Sequence, residues 1–144
     1  EIRLSRSAFT SIIPSLTGSG KDIVKLYPDL DGKIVCRAIR IPTTTVSLIN
    51  LSLICKKSVS LSNLNKLYQL ASRSYLKGIL HYATEELVSV DYKGTSFSSI
   101  YDPYMSDVIA GNFINIYAWY DNEWGYASRL VHLCEYIAAR ASIL

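Results

Sequence analysis

Between residues 46 and 57 the sequence reads VSLINLSLICKK, and every second position from Ile49 through Leu51 and Leu53 to Cys55 is apolar. Successive side chains of an extended strand point to opposite faces, so the alternation describes a strand with one uniformly apolar face. Such a strand cannot stand alone: its backbone needs a neighbouring strand and its apolar face needs a cover. Ser47, Asn50 and Ser52 interrupt the run, which falls well short of the roughly 20 apolar residues of a membrane span. No membrane partner is expected.

Elements that could supply the neighbour and the cover follow from the same kind of pattern. Residues 33–41 read as another strand, stopped by Pro42, and the short connection 42–45 predicts an antiparallel pair with 46–57. Leu64, Leu67, Tyr68 and Ala71 recur at helical spacing behind Ser60 or Ser62, which predicts a helix over 61–73. A shorter helix is expected over 17–26 with Thr17 as its cap. Further strands are expected at 79–83, 87–92, 96–101 and 113–120. A last helix is expected at about 124–141, with Ala127, Leu130, Val131, Cys134, Ile137 and Ala138 on a buried stripe. Strand pairs interleaved with helices define an α+β fold, a mixed and largely antiparallel sheet covered by helices on one face. With 144 residues, 49% of them hydrophobic and 19% charged, the chain suits a single domain over 1–144 that buries about two-thirds of its unfolded surface.

Charge is distributed unevenly. Up to Lys77 twelve Lys or Arg face four Asp or Glu, and beyond it three face eight. The first half therefore suits an anion. Nucleic acid is not the expected partner, because no basic run is longer than Lys56-Lys57 and no aromatic-studded basic motif accompanies it. The three cysteines, Cys36, Cys55 and Cys134, are too scattered for a disulfide framework or a CxxC metal site. Reduced thiols in a cytosol, and no metal, are expected. The chain opens at Glu1 with no signal or transit pattern and reads as part of something longer.

Three stretches could carry chemistry. SLTGSGKD, at 15–22, puts glycines before a lysine at a helix start but departs from the nucleotide phosphate loop at Ser15 and Asp22, so that motif is rejected. What remains is the Thr17 hydroxyl and the N–H groups of Gly18 and Ser19 at a helix N-terminus, which serve either ordinary capping or an anion. Arg40 follows Ile34, Cys36 and Ala38 on one face of a strand. Its guanidinium awaits either a structural acid, with Asp22, Asp29 and Asp31 available, or a bound phosphate. In WYDNEWGY, at 119–126, Trp119 and Trp124 read as packing, Asp121 or Asn122 can cap the following helix, and Glu123 suits its first turn. Capping takes only one of the two, and the amide of Asn122 offers donor and acceptor together to another amide. His81 and His132 have no acid or nucleophile at motif spacing and read as surface or packed residues.

Four segments carry a family likeness: SIIPSLTGSGK at 11–21, GKIVCRAIRIPTTTVSLINLSL at 32–53, LKGIL at 76–80 and WYDNEWGYASRLV at 119–131. In this order they resemble the C-terminal catalytic domain of phosphorylating glyceraldehyde-3-phosphate dehydrogenases. By that resemblance Asn122 holds the carboxamide of the nicotinamide ring of NAD, and Tyr126 packs near the same ring. Thr17 and Gly18 match the residues that bind inorganic phosphate. Arg40 matches the arginine that serves both that phosphate and the phosphate of the substrate, glyceraldehyde 3-phosphate. Leu4 stands where some bacterial relatives carry a further phosphate-binding arginine.

The family's dinucleotide-binding fold, nucleophilic cysteine and base histidine precede the matching region. No catalytic residue is therefore expected in this chain, which is expected to be inactive alone and to act within a cytoplasmic homotetramer of glycolysis. The implied reaction runs through a thiolate attacking the aldehyde, hydride passing to NAD, and phosphate cleaving the resulting thioester. Two alternatives share the pattern: a relative specific for erythrose 4-phosphate, and an inactive orphan domain serving as an assembly or binding module. All of these depend on Thr17, Gly18 and Arg40 converging on an oxyanion, with Asn122 close enough to touch a ring stacked beside it.

Overall fold

A computed structural model describes residues 2–141. The chain divides into two compact units between Thr44 and Thr45. The first is built on a two-stranded antiparallel ribbon, β1 (Ile13–Leu16) against β2 (Arg37–Arg40), registered from Ile13 opposite Arg40 to Leu16 opposite Arg37. Helix α1 (Ser19–Leu26) connects them, followed by a 3-10 turn at Pro28–Leu30, and another 3-10 turn spans Ile2–Ser5. The sequence pattern missed β1, because Pro14 inside so short a run argues against a strand. Each strand of a two-stranded ribbon has an outer edge, where the missing N–H of a proline need break no ladder bond.

In the second unit β3 (Ser47–Ile54), α2 (Leu61–Arg73), β4 (Leu80–Tyr82), β5 (Ser99–Ile109), β6 (Phe113–Tyr120) and α3 (Trp124–Arg140) follow in chain order. The strands lie side by side as β3-β6-β5-β4, antiparallel except for the parallel pair of β4 with β5. This is the expected α+β class with its mixed sheet. The expected pairing of 33–41 with 46–57 does not form: β2 lies against β1, and β3 against β6. The reason is the length and chemistry of the match. β6 pairs along the whole of β3 and sets Ile114, Ile116 and Ala118 opposite Leu53, Leu51 and Ile49, a longer apolar face than the short β2 can offer.

Helix α2 covers part of that face, at Ile114, Ile116 and Leu53, and leaves Ile49 and Leu51 exposed. Ser60 caps it, its Oγ accepting from the Asn63 N–H at 3.2 Å. Leu64 and Ala71 enter a core with Leu80, Tyr101, Ile114 and Ile116. Tyr68 from the same helix stacks on Tyr101, with ring centroids 3.9 Å apart and planes 8° from parallel. Leu67, expected on the buried side, is exposed, because the stripe is filled by Leu64, Tyr68 and Ala71 and position 67 lies beside it. A second cluster joins Val46, Ala83, Tyr92 and Ile100, with Phe97 and Trp119 packed against it.

Three further expectations change. Residues 87–92 are not a strand: Ser89–Tyr92 form a 3-10 turn. The Asp91 carboxylate accepts the Val88 N–H at 2.9 Å and gives the backbone a local partner in place of a ladder. The strand expected at 96–101 begins at Ser99 and runs on to Ile109, passing Pro103 through a bulge between Asp102 and Asp107. There Asp102 Oδ1 accepts from the Tyr104 and Met105 N–H groups, and Ser106 Oγ donates to the Asp102 carbonyl at 2.6 Å while accepting from the Tyr117 N–H at 3.0 Å.

The buried stripe expected on α3 is open. Leu130, Val131 and Ile137 are 46%, 57% and 54% exposed, and Ala127 and Cys134 are exposed with them. The helix is held at its root, where Gly125 is buried and a Cβ would come within 3.0 Å of the Phe97 carbonyl oxygen. The apolar periodicity is present, but among the described residues it has no cover. Among those residues no helix is long and apolar enough to cross a membrane.

Candidate functional site

In the first unit, Thr17 follows the end of β1 and Gly18 occupies the N-cap position of α1. The expected cap is thereby corrected. Thr17 stands one residue too early to be the N-cap residue; its Oγ1 accepts the Ser19 N–H at 3.3 Å and shares a 2.8 Å hydrogen bond with Ser19 Oγ. Gly18 contributes its carbonyl, which receives the Lys21 N–H at 2.9 Å. With no Cβ, Gly18 leaves the approach to the helix mouth open: a side chain built there meets nothing within 4 Å.

Arg40 ends β2 with its side chain exposed. Of the acids available to it, Asp22 is taken by Lys25 at 2.9 Å, the one ion pair among the described residues. The hydrogen bond and charge of Lys25 hold that carboxyl below its ordinary pKa. Arg40 has no carboxylate within ion-pair distance among the described residues, so the expected structural acid is not found among them.

The register relates the two. Residues opposite each other in a ladder share a face, and so do alternate residues along a strand. Ile13 with Arg40 and Ser15 with Ala38 therefore lie on one face, which also carries Thr17 just beyond the ribbon's other end. Arg40 is level with Ile13, so about 13 Å of strand separates it from the level of Thr17. They share a face without touching, so the register does not show the expected convergence of Thr17, Gly18 and Arg40 on one oxyanion. Between them sits Ser15, whose Oγ is buried and has no hydrogen-bond partner among the described residues. Leu4 belongs to the turn Ile2–Ser5, and its side chain lies outside the described residues.

In the second unit the segment 119–126 divides its labour. Trp119 packs as expected, stacked on Tyr92 with its indole N–H donating to Asp102 Oδ2 at 2.9 Å. Trp124 does not; it is largely exposed at the start of α3. Glu123, expected in the first turn, is itself the N-cap residue, and Asp121 supplies the acceptors from two residues ahead: its Oδ1 accepts the Glu123 and Trp124 N–H groups at 3.0 and 2.8 Å, and its Oδ2 accepts the Gly94 N–H at 2.9 Å. Burial alone would raise the Asp121 pKa, but the N–H donors of Gly94, Trp124 and Glu123, with the charge of Lys93, outweigh it and hold the carboxyl below 3.8.

Replacing Asp121 by Asn is expected to cost about 2 kcal/mol at neutral pH. A depressed folded-state pKa contributes stability above the unfolded value and loses it as pH falls through the folded one. Thermal melts of wild type and variant should therefore converge as pH drops below 3.8. A gap that stays constant into strong acid would contradict this role.

With Asp121 committed, Asn122 is left exposed and uninvolved in capping. It lines a cavity of about 300 Å³ together with Ser98, Tyr120, Asp121, Gly125, Tyr126 and Arg129. The two expected cofactor contacts, Asn122 and Tyr126, thus face one hollow. Two neighbours were not foreseen. Ser47 Oγ donates to Asn122 Oδ1 at 3.4 Å. Arg129 Nη2 donates to the Ser96 carbonyl at 3.1 Å, while its Nε and Nη1 are buried without partners among the described residues. No sequence signal links Ser47 to a residue 75 positions away. His81 is a packed histidine, stacked on Phe97 at 4.9 Å, and the three cysteines are free thiols.

The chain thus carries an exposed arginine at the end of one ribbon face and, in its second unit, a hollow lined in part by an amide beside a helix root. Residues 1–122 match the family model described as glyceraldehyde 3-phosphate dehydrogenase, C-terminal domain, and the chain belongs to that family. It is 43% identical over 137 residues to the cytosolic glyceraldehyde-3-phosphate dehydrogenase of Craterostigma plantagineum, covering 95% of this chain and 41% of that protein. Glyceraldehyde-3-phosphate dehydrogenase 1 of Bacillus cereus is 39% identical over 140 residues, 97% of this chain and 42% of the relative. The Geobacillus stearothermophilus enzyme of the same name is 41% identical over the same shares, 97% and 42%. The chain spans about two-fifths of the length of these curated relatives.

Proposed function

We propose that this chain is the substrate-side part of an NAD-dependent, phosphorylating glyceraldehyde-3-phosphate dehydrogenase of glycolysis, acting in the cytosol as a homotetramer. The observation that carries the reading is the family match over residues 1–122, which includes the ribbon face with Thr17 and Arg40 at its opposite ends. The reaction handles two anions, inorganic phosphate and the phosphate of glyceraldehyde 3-phosphate, and two anions need two positions. In this assignment the Thr17 hydroxyl and the backbone at Gly18 hold inorganic phosphate at the mouth of α1, where helix donors and dipole favour it. Arg40 holds the substrate's phosphate with its planar fork and bears on the inorganic one from the far end.

Asn122 and Tyr126 take the nicotinamide end of NAD, the amide reading its carboxamide and the phenol ring packing beside it. The cavity's 300 Å³ lies at the small end of ligand pockets and suits one ring rather than a whole dinucleotide. NAD, when bound, accepts the hydride. The chain's own residues orient, the first unit its anions and the second the ring, and positioning of this kind is worth several kcal/mol of barrier when the geometry is right. The two units act as one catalytic domain, a reading supported by the family match running unbroken across their division. The relatives reported above are all named for glyceraldehyde 3-phosphate, which favours that aldehyde over erythrose 4-phosphate and an enzyme over an assembly module.

A full-length protein carrying this domain should reduce NAD only when both aldehyde and inorganic phosphate are present, whereas the 144-residue chain alone should reduce none. Turnover by the chain alone would overturn the assignment of the nucleophile to another part of the polypeptide. Full-length turnover indifferent to phosphate would overturn the phosphorylating reading.

A further inference from the structure

We propose that Arg129 is a positioning residue for the nicotinamide end of NAD, tying α3 to the segment 96–98 so that the hollow between them keeps one width; the inference rests on the nicotinamide reading above and deepens it. The walls of that hollow come from two parts of the chain. Ser98 stands on the lead-in to β5, while Gly125, Tyr126 and Arg129 stand on the first two turns of α3. Arg129 Nη2 donates to the Ser96 carbonyl at 3.1 Å, so the guanidinium joins one wall to the other.

The segment it grips is itself fixed. The Ser98 N–H donates to the Ile79 carbonyl at 2.8 Å. The Phe97 ring packs on the cluster of Val46, Ala83, Tyr92 and Ile100 and stacks on His81. Gly125 meets the Phe97 carbonyl oxygen one helical turn before Arg129 meets that of Ser96. A helix held at one point can swing about it, whereas two points a turn apart set its direction. Tyr126 lies between the two in the chain, and its place in the hollow follows from both.

The chemistry of the guanidinium separates this role from plain support of the fold. Its Nε and Nη1 are buried without partners among the described residues, and no carboxylate lies within ion-pair distance of it among them. A buried charged group with donors unmet costs stability, and an apolar side chain of similar length in its place is often neutral or stabilising. Ser96 is exposed, so its carbonyl is not stranded when the donor goes. Loss of the guanidinium should therefore loosen the hollow without weakening the fold.

The test uses the full-length enzyme with Arg129→Met, Arg129→Lys and Asn122→Ala. Three quantities are read: the calorimetric Kd for NAD, the KM for inorganic phosphate, and the melting temperature without ligand. Arg129→Met should raise the Kd for NAD roughly three- to tenfold, the worth of one ordinary hydrogen bond. Its KM for phosphate should be unchanged and its melting temperature equal to that of the wild type or higher. Arg129→Lys keeps a donor for the Ser96 carbonyl and should bind NAD more tightly than Arg129→Met. A melting temperature that drops in Arg129→Met along with NAD affinity would make Arg129 a support of the fold and overturn the inference. So would an unchanged Kd for NAD in Arg129→Met beside a raised one in Asn122→Ala. If Asn122→Ala leaves the Kd for NAD untouched, the nicotinamide reading itself falls and this inference falls with it.

Discussion

Replacing Arg40 by alanine in the full-length enzyme is expected to raise KM for inorganic phosphate and for the aldehyde phosphate by roughly 10- to 100-fold, with KM for NAD little changed. The magnitude comes from the charge-assisted bonds of one guanidinium. The selectivity comes from where Arg40 stands, at the end of β2, with no carboxylate among the described residues to share its charge. Arg40→Lys keeps the charge but not the fork and should recover only part of the loss. Thr17→Ala provides the contrast: Thr17 lies about 13 Å of strand away on the same face, so its loss should weaken inorganic phosphate and spare the aldehyde. Steady-state kinetics with each substrate varied in turn separates these outcomes. Equal losses in phosphate and NAD for Arg40→Ala would contradict the assigned role.

The second large effect is on stability. Tyr101 has no exposed surface, stacks on Tyr68, and donates its hydroxyl to Asn65 Oδ1 at 2.6 Å. Tyr101→Ala removes the ring around which α2 meets the sheet and should cost about 3–5 kcal/mol, a large part of the stability of an ordinary domain. Tyr101→Phe keeps the ring, strands Asn65 without its donor, and should cost about 1 kcal/mol. Burial pushes the Tyr101 phenol up to about 12 from 10.0. The sign follows: below 10 the phenol is neutral whether folded or unfolded, and as pH rises from 10 toward 12 ionisation favours the unfolded chain. Denaturation midpoints of the wild type should therefore fall more steeply over that range than those of Tyr101→Phe. Parallel curves would show that Tyr101 does not carry the alkaline loss.

Elements set by local periodicity were legible in the sequence. The alternation of 46–57 contains β3, the spacing of Leu64, Tyr68 and Ala71 contains α2, and β6 and the start of α3 fall where expected. Partnership was not legible, because a strand's pattern specifies a face and not a neighbour. β1 was hidden by Pro14, and 87–92 became a turn through a single carboxylate at Asp91. The stripe on α3 was read correctly as apolar and wrongly as buried, since periodicity says which side of a helix wants cover and nothing about whether cover is present.

The candidate site divides in the same way. Arg40 and Asn122 could be singled out by residue type and setting. That Asp121 rather than Asn122 serves the root of α3, and is also bound by the Gly94 N–H 27 residues away, could not be read from the sequence, and Ser47 could be found only once β3 lay beside β6. A hydroxyl at the start of a strand looks in sequence like any other polar interruption.

The attachment of α3 has a mechanical side. Its 17 residues make an arm about 25 Å long, largely uncovered among the described residues and packed at its root, where Gly125 meets a carbonyl. Asn122 lies just ahead of that root, so whatever cover the apolar stripe takes would bear on the segment proposed to read the carboxamide.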